Sequence, residues 1–466
     1  MFLTKVLSPL RHGRGGPAKL LFAIMYGALC MAEGVQTAPA QGTQLQTVYS
    51  FASTNGINPF GDLCRGADGN FYGTTTSGGT NGGYGTVFKV TTNGLLTVLT
   101  QFANTNGADP QAGLVVGKDG NFYGTTVDGG TNGGYGTIFV MTTNGLLTTI
   151  ASFNNTNGAF PYSTLALGND GNFYGTTYFG GANSLGTVFK VSTNGGLTSL
   201  ASFANTNGAA PHEGLTLGND GNFYGTTALG GTNGGWGTVF RVTTNGLLTS
   251  LVSFNNTNGA YPRALLSPGS DGSFYGTTYF GGSNGLGTVF RVTTNGILTS
   301  LASFNNTNGA NPAGGLILCS DGNFYGTTYA GGSSNVGTIF QVTTNGALTV
   351  LSSFAGANGA NPLAGMTTGS DGDFYGTTAN GSGSSSNGLV FKLLLSPAWT
   401  AVSFSNQNFQ ATLAGLARPS VQIQATTNLT APWSVLTNLV FTNGTGQFID
   451  PSGGSIPQKF YRTAVE

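Results

Sequence analysis

The stretch Asp68–Thr75, DGNFYGTT, returns letter for letter from Asp119, Asp170, Asp220 and Asp321. With one change it also returns from Asp271 (DGSFYGTT) and Asp371 (DGDFYGTT), every start lying 50 or 51 residues after the last. A fixed period near fifty residues marks an array in which each unit is one supersecondary structure stacked on its neighbours.

The second unit, Gly113 to Phe153, reads GLVVGKDGNFYGTTVDGGTNGGYGTIFVMTTNGLLTTIASF. GLVV, NFYGTT, GTIFVMT and LLTTIASF are rich in β-branched and aromatic residues and read as four strands, a to d. Asp119-Gly120 and Asn144-Gly145 separate a from b and c from d, and such dipeptides predict tight primed hairpin turns. No segment has helical periodicity. Each unit is therefore an antiparallel meander. In strand b, Phe122 and Tyr123 are adjacent and point to opposite faces, so both faces must be covered by neighbouring sheets. Gly124 between them and the threonines predicts a close backbone approach. Radial stacking of four-stranded units is the arrangement that covers both faces of every sheet.

The count of strands closes the ring. FYGTT and the strand-c core (GTVF, GTIF, finally Gly388-Leu389-Val390-Phe391) each occur seven times. The first d-type strand, Leu45–Phe51, precedes every a strand, and no d strand follows the last c strand. The N-terminal strand is thus expected to complete the last blade and remove the exposed edges. The predicted fold is all-β: a seven-bladed β-propeller over residues 41–395, followed by a small β module over 396–466. A β-solenoid is the competing array, but it would not need this division of one strand and three. The octet itself reads as scaffold, because one aspartate per turn supplies too few oxygens for calcium.

Composition bounds the rest. The 466 residues include 80 Gly, 32 Phe, 17 Tyr and 3 Trp, with 15 basic and 15 acidic side chains. So many aromatics fit a large core and leave the glycines to turns. Residues 1–40 read as a signal peptide: Lys5, Arg11, Arg14 and Lys19, then the apolar run Leu20–Ala32, then Ala38-Pro39-Ala40. Gly27-Ala28-Leu29 before Cys30 is a poor lipoprotein signal. Removing those four bases and Glu33 leaves a net charge of −3 and no basic stripe, which argues against nucleic acid. No other segment is apolar enough to span a membrane. The expected location is outside the cell or on its surface, the periplasm being the other exported compartment. His212 is then the one histidine left, so no metal and no cofactor are expected. Cys64 and Cys319 belong to the first and sixth units and are expected to be free thiols. The sequence is silent on oligomeric state.

The recurring phrase SFxxTNGAxPxxGLxxGxDGNFYGTTxxGGxxxxGTVFxVTTNGxLT resembles the GloVer tandem repeat of verrucomicrobial and gloeobacterial exported proteins, a family with variable anchoring segments. The resemblance covers about 350 residues in seven copies. It implies export and association with the cell surface, and it implies no reaction. The tail is similar to a small C-terminal module of verrucomicrobial secreted proteins, through Ile423, Gln424, Thr426 to Leu429, Trp433, Leu436, Asp450-Pro451 and Phe460 to Arg462. Its alternating strands suggest a β-sandwich-like module, with Trp433 expected in its core.

A meander puts the a–b and c–d turns at one end of each blade, and the b–c loops and inter-blade connections at the other. The first end repeats DGN and TNG; the second varies. The residue after each connection's proline is Phe60, Gln111, Tyr162, His212, Arg263, Ala313 or Leu363, and these seven are expected to ring the channel mouth. With Glu213, with Phe160 and Tyr261 before the proline, and with Tyr178, Phe179, Tyr279, Phe280 and Tyr329 in b–c loops, Tyr162, His212 and Arg263 form the candidate ligand-binding set. Such groups stack on and hydrogen-bond a sugar or a peptide. Tyr84, Tyr135 and Trp236 are expected to pack under their own loops. Glycoside cleavage needs two carboxylates across one bond, and the non-turn acids Asp62, Asp109, Asp128 and Glu213 are scattered over units. No catalytic residue is therefore assigned. The reading is a non-catalytic binding or surface-organising protein for carbohydrate or for a protein or peptide, and no enzyme; a glycosidase or lyase at the channel mouth is the alternative.

Overall fold

A computed structural model describes residues 4–7, 43–381, 387–395, 398–405, 408–414, 420–427, 432–440, 445–451 and 458–464. Seven four-stranded antiparallel sheets follow one another. In the second, strands a to d are Val115–Val116, Phe122–Thr126, Thr137–Met141 and Leu147–Ser152. In the seventh, Thr367–Thr368, Phe374–Thr378 and Leu389–Leu395 are completed by the N-terminal strand Thr43–Ser50. That strand runs antiparallel to the last c strand, Thr43 opposite Leu395 and Ser50 opposite Leu389. The protein is a seven-bladed β-propeller.

The octet supplies the glue between blades. The strand-b tyrosine of each blade lies on the strand-b phenylalanine of the next: Tyr72 on Phe122 at 4.1 Å, Tyr123 on Phe173 at 4.2 Å, and finally Tyr375 on Phe71 at 4.3 Å between ring centroids. The last of these joins blade seven to blade one. Burying a large aromatic side chain contributes on the order of 2–3 kcal/mol, and here both members of the dipeptide are buried in every copy. The aspartate does more than turn the chain. Asp68 accepts from the backbone N–H and side-chain amide of Asn70 and from the Tyr72 hydroxyl at 2.9 Å, so the buried ring keeps a partner for its polar end.

Three local expectations are corrected. The DG and NG turns are not primed two-residue turns: Gly120 N–H donates to Gly117 O, Gly117 N–H donates to Asn121 O, and only the glycine has positive φ, 79°. This is the three-residue hairpin loop that ends in a left-handed residue. Gly124 makes room for a side chain rather than a backbone: a Cβ there would stand 2.6 Å from the Phe139 ring of strand c. In the C-terminal module two sheets face each other, Thr4–Leu7, Gln458–Ala464, Ser420–Thr426 and Ser434–Val440 in one, Ala398–Ser405, Asn408–Ala414 and Thr445–Asp450 in the other. Their core is Phe409, Leu413, Val421, Ile423, Phe448 and Tyr461, whereas Trp433 is only half-buried. Thr4–Leu7, inside the stretch read as a signal peptide, forms an edge strand of this module.

Candidate functional site

At the variable face each inter-blade connection is clasped between two blades. Phe160 N–H donates to Tyr135 O of the preceding blade, and Phe160 O accepts from Tyr178 N–H of its own blade. To make both bonds the residue before each proline turns left-handed: Asn58, Asp109, Phe160, Ala210, Tyr261, Asn311 and Asn361 all have φ between 52° and 57°. Asparagine tolerates this region; Phe160 and Tyr261 do so at a cost of order 1 kcal/mol or more. Strained backbone carrying large aromatics is concentrated over blades three and five.

Two aromatic groups result. Phe160 stands edge-on between Tyr135 (6.0 Å) and Phe179 (6.2 Å); Tyr261 stands likewise between Trp236 (6.1 Å) and Phe280 (5.6 Å). Phe179 and Phe280 are 46% and 42% exposed, high for rings of this size. Tyr135 and Trp236, expected only under their loops, therefore also brace these rings.

Nearer the axis, Tyr162 and His212 stack with centroids 5.2 Å apart and planes 12° apart, and Tyr178 meets both edge-on. The Arg263 guanidinium lies over the Tyr279 ring at 4.9 Å, and Tyr329 follows at 6.4 Å from Tyr279. Burial first, then the Arg263 charge, hold the His212 imidazole down to about 3, so it is neutral near pH 7. Its Nδ1 and the Nε of Arg263 are buried without a hydrogen-bond partner. On the other side of Tyr162 stand two carboxylates that the candidate set omitted. Asp109 accepts from Gln111 Nε2 at 2.8 Å, and burial raises both Asp109 and Asp128, the charge of Asp128 adding to the rise at Asp109. The Tyr162 phenol is raised by burial and then by these two charges. Only their position in the same connection and b–c loop as the aromatics could have signalled them.

Glu213 does not join its neighbour His212. It lines the axial channel with Asp62, Thr164 and Leu265, in a cavity of about 20 Å³ that has room for about one water. Asp62 accepts from Gly365 N–H at 2.6 Å. Burial, then the Asp62 charge, push the Glu213 carboxyl well above its ordinary range. The face above this cavity carries stacking surfaces, phenols, a neutral imidazole, one guanidinium and two carboxylates.

Residues 34–234 and 212–431 match the family model described as the Gloeobacter/Verrucomicrobia repeat. No curated protein matches the chain. Similar solved structures include a putative 6-phosphogluconolactonase from Bacteroides uniformis (15% identity, 70% of this chain and 98% of that one, TM-score 0.44). A gluconolactonase from Xanthomonas campestris is 10% identical over 78% of this chain and 99% of its own, TM-score 0.42. An ulvan lyase solved with bound -[GlcA(1-4)Rha3S]- is 11% identical over 78% of this chain and 92% of its own, TM-score 0.42. Most of the similar structures bear the names of enzymes, so the expectation that the chain is no enzyme is withdrawn. At such identities they speak to fold and name no reaction for this chain.

Proposed function

This chain belongs to the Gloeobacter/Verrucomicrobia repeat family, and on that premise we propose that it is an exported, cell-surface-associated propeller that binds carbohydrate on the variable face of blades two to six. The observation that carries this reading is the Tyr162–His212 stack, flanked by Tyr178, which in turn meets the exposed ring of Phe179. Aromatic faces beside phenol hydroxyls and an amide suit the apolar faces and hydroxyl rims of sugar rings.

Cleavage of the bound polysaccharide is the second reading. It is favoured by a neutral imidazole with an unsatisfied Nδ1 beside the Tyr162 phenol, within reach of the field of Asp109 and Asp128. A glycan array probed with the protein after export, in parallel with its Tyr162→Ala/His212→Ala form, tests both. Discrete carbohydrate signals lost in the double variant support the site. New reducing ends or unsaturated products from those glycans select cleavage. Binding of peptides and of no glycan would sink the carbohydrate reading.

A further inference from the structure

We propose that the ligand of this face is an anionic saccharide, and that Arg263 receives its carboxylate or sulfate group; this rests on the carbohydrate reading above. Four of the five basic side chains on the c strands are ion-paired. Lys89, Lys190, Arg291 and Lys392 pair with the turn aspartates Asp68, Asp170, Asp271 and Asp371 at the opposite end of the blades, at 2.7–3.7 Å. Arg241 on the same strand of the fourth blade has no such ion pair among the described residues and a buried Nε without a hydrogen-bond partner, but it stands at that same end, opposite Tyr224; Arg263 stands elsewhere. It lies on the variable face, and among the described residues no carboxylate lies within ion-pairing distance of it.

Its placement is not a requirement of the scaffold, because the equivalent positions of the next two blades hold Ala313 and Leu363. The guanidinium is nevertheless held: it rests on the Tyr279 ring, and its Nε is buried without a hydrogen-bond partner. A partly desolvated cation with an unsatisfied donor is costly unless something pairs with it. A planar guanidinium immobilised on an aromatic face presents its remaining N–H groups as a fork, which matches the paired oxygens of a carboxylate or sulfate.

The surroundings select the polarity of the ligand. His212 next to it is neutral, so Arg263 supplies the positive charge of the patch. The carboxylates Asp109 and Asp128 act on Tyr162, beyond the His212 stack. A sugar chain lying across blades two to five would therefore place an acidic substituent at Arg263 and hydroxyl groups at Asp109 and Gln111. Uronate carboxylates and sulfate esters offer the same recognition chemistry.

The test uses the exported chain and three probes of equal length: an oligogalacturonate, a sulfated galactan oligosaccharide, and the neutral galactan oligosaccharide from its desulfation. Titration calorimetry at low and at high salt is run on the native protein, Arg263→Ala, Arg263→Lys and, as a control cation on the opposite face, Arg291→Ala. At least one anionic probe should bind, and the comparison of the two identifies which acidic group is read. Arg263→Ala should weaken that binding about tenfold or more, the usual worth of a hydrogen bond to a charged group. Arg263→Lys should restore only part of it, Arg291→Ala should leave it unchanged, and salt should weaken it. Tighter binding of the neutral probe, or anionic binding indifferent to Arg263→Ala, overturns the assignment and leaves the carbohydrate reading standing. Failure of all three probes overturns both.

Discussion

Asp62 of the first blade and Glu213 of the fourth line the same water-sized cavity on the propeller axis, and the charge of one raises the carboxyl of the other. Burial raises Asp62 as well. Both folded-state values thus lie above the unfolded ones, so the folded protein holds protons that the unfolded chain releases first. The stability that these two carboxyls contribute should be full below the ordinary carboxylate range and fall as pH rises from there through the raised folded values. Glu213→Gln removes the larger part of this loss. Its denaturation midpoint, measured from pH 4 to 8, should gain on the native protein as pH rises; parallel curves would deny the coupling.

His212 gives the opposite slope. Its folded-state value is lowered to about 3 by burial, so the unfolded chain binds the proton first as pH falls. Stability should be lost as pH drops from about 6.5 towards 3. Replacing it by leucine, the residue at the equivalent Leu363, should flatten the acid limb of the stability curve while leaving the alkaline limb unchanged. An acid limb identical in both proteins would mean the imidazole is hydrated.

The closing strand makes a third expectation. Val48 and Tyr49 pack against the cluster containing Phe51, Phe71, Phe88 and Val390, which joins blades seven and one. Removing residues 43–50 uncovers these side chains and the edge of Leu389–Leu395 at once. The truncated protein should aggregate or melt far below the intact one. Equal melting temperatures would refute closure.

Much of this architecture was legible because the period repeats its own evidence: adjacent Phe and Tyr in seven strands can be satisfied only by sheets packed on both faces. The displaced strand at Thr43–Ser50 was legible as a shortage at one end and a surplus at the other. The hairpin turns were misread because DG and NG dipeptides serve two loop lengths, and only the backbone pairing of Gly117 with Asn121 distinguishes them. The Asp62–Glu213 contact was out of reach for a different reason. Blades one and four are not neighbours, and only the narrow axis of the closed ring brings their side chains together. The alternation of neighbouring side chains in an extended chain separates His212 from Glu213. It could not say that one would stack on Tyr162 and the other enter the channel.

The cysteines give a chemical readout of blade order. Cys64 and Cys319 are free, half-buried, and packed against different inter-blade clusters. Burial pushes the Cys64 thiol up to about 11 and the Cys319 thiol higher. Because the thiolate is the reactive form, both should alkylate slowly in the native protein at pH 8 and rapidly after unfolding without reductant. Peptide mapping should recover each as a single labelled cysteine. A disulfide-linked Cys64–Cys319 peptide would contradict the seven-blade order.

Scaffold and site should separate under mutation. Phe173 is fully buried against Tyr123 of the preceding blade, so Phe173→Ala should cost about 3–5 kcal/mol as a large-to-small core change. Tyr162, His212 and Arg263 stand at positions where other blades carry alanine or leucine, so their joint replacement by alanine should leave the unfolding midpoint nearly unchanged. The same triple variant removes the stacked pair and the one guanidinium of the face, and should abolish saccharide binding at matched folded fraction. Phe173→Ala should lower binding only in proportion to the unfolded population. If the triple variant binds as the native protein does, ligand recognition lies elsewhere in the chain, and the aromatic face is packing for its own loops.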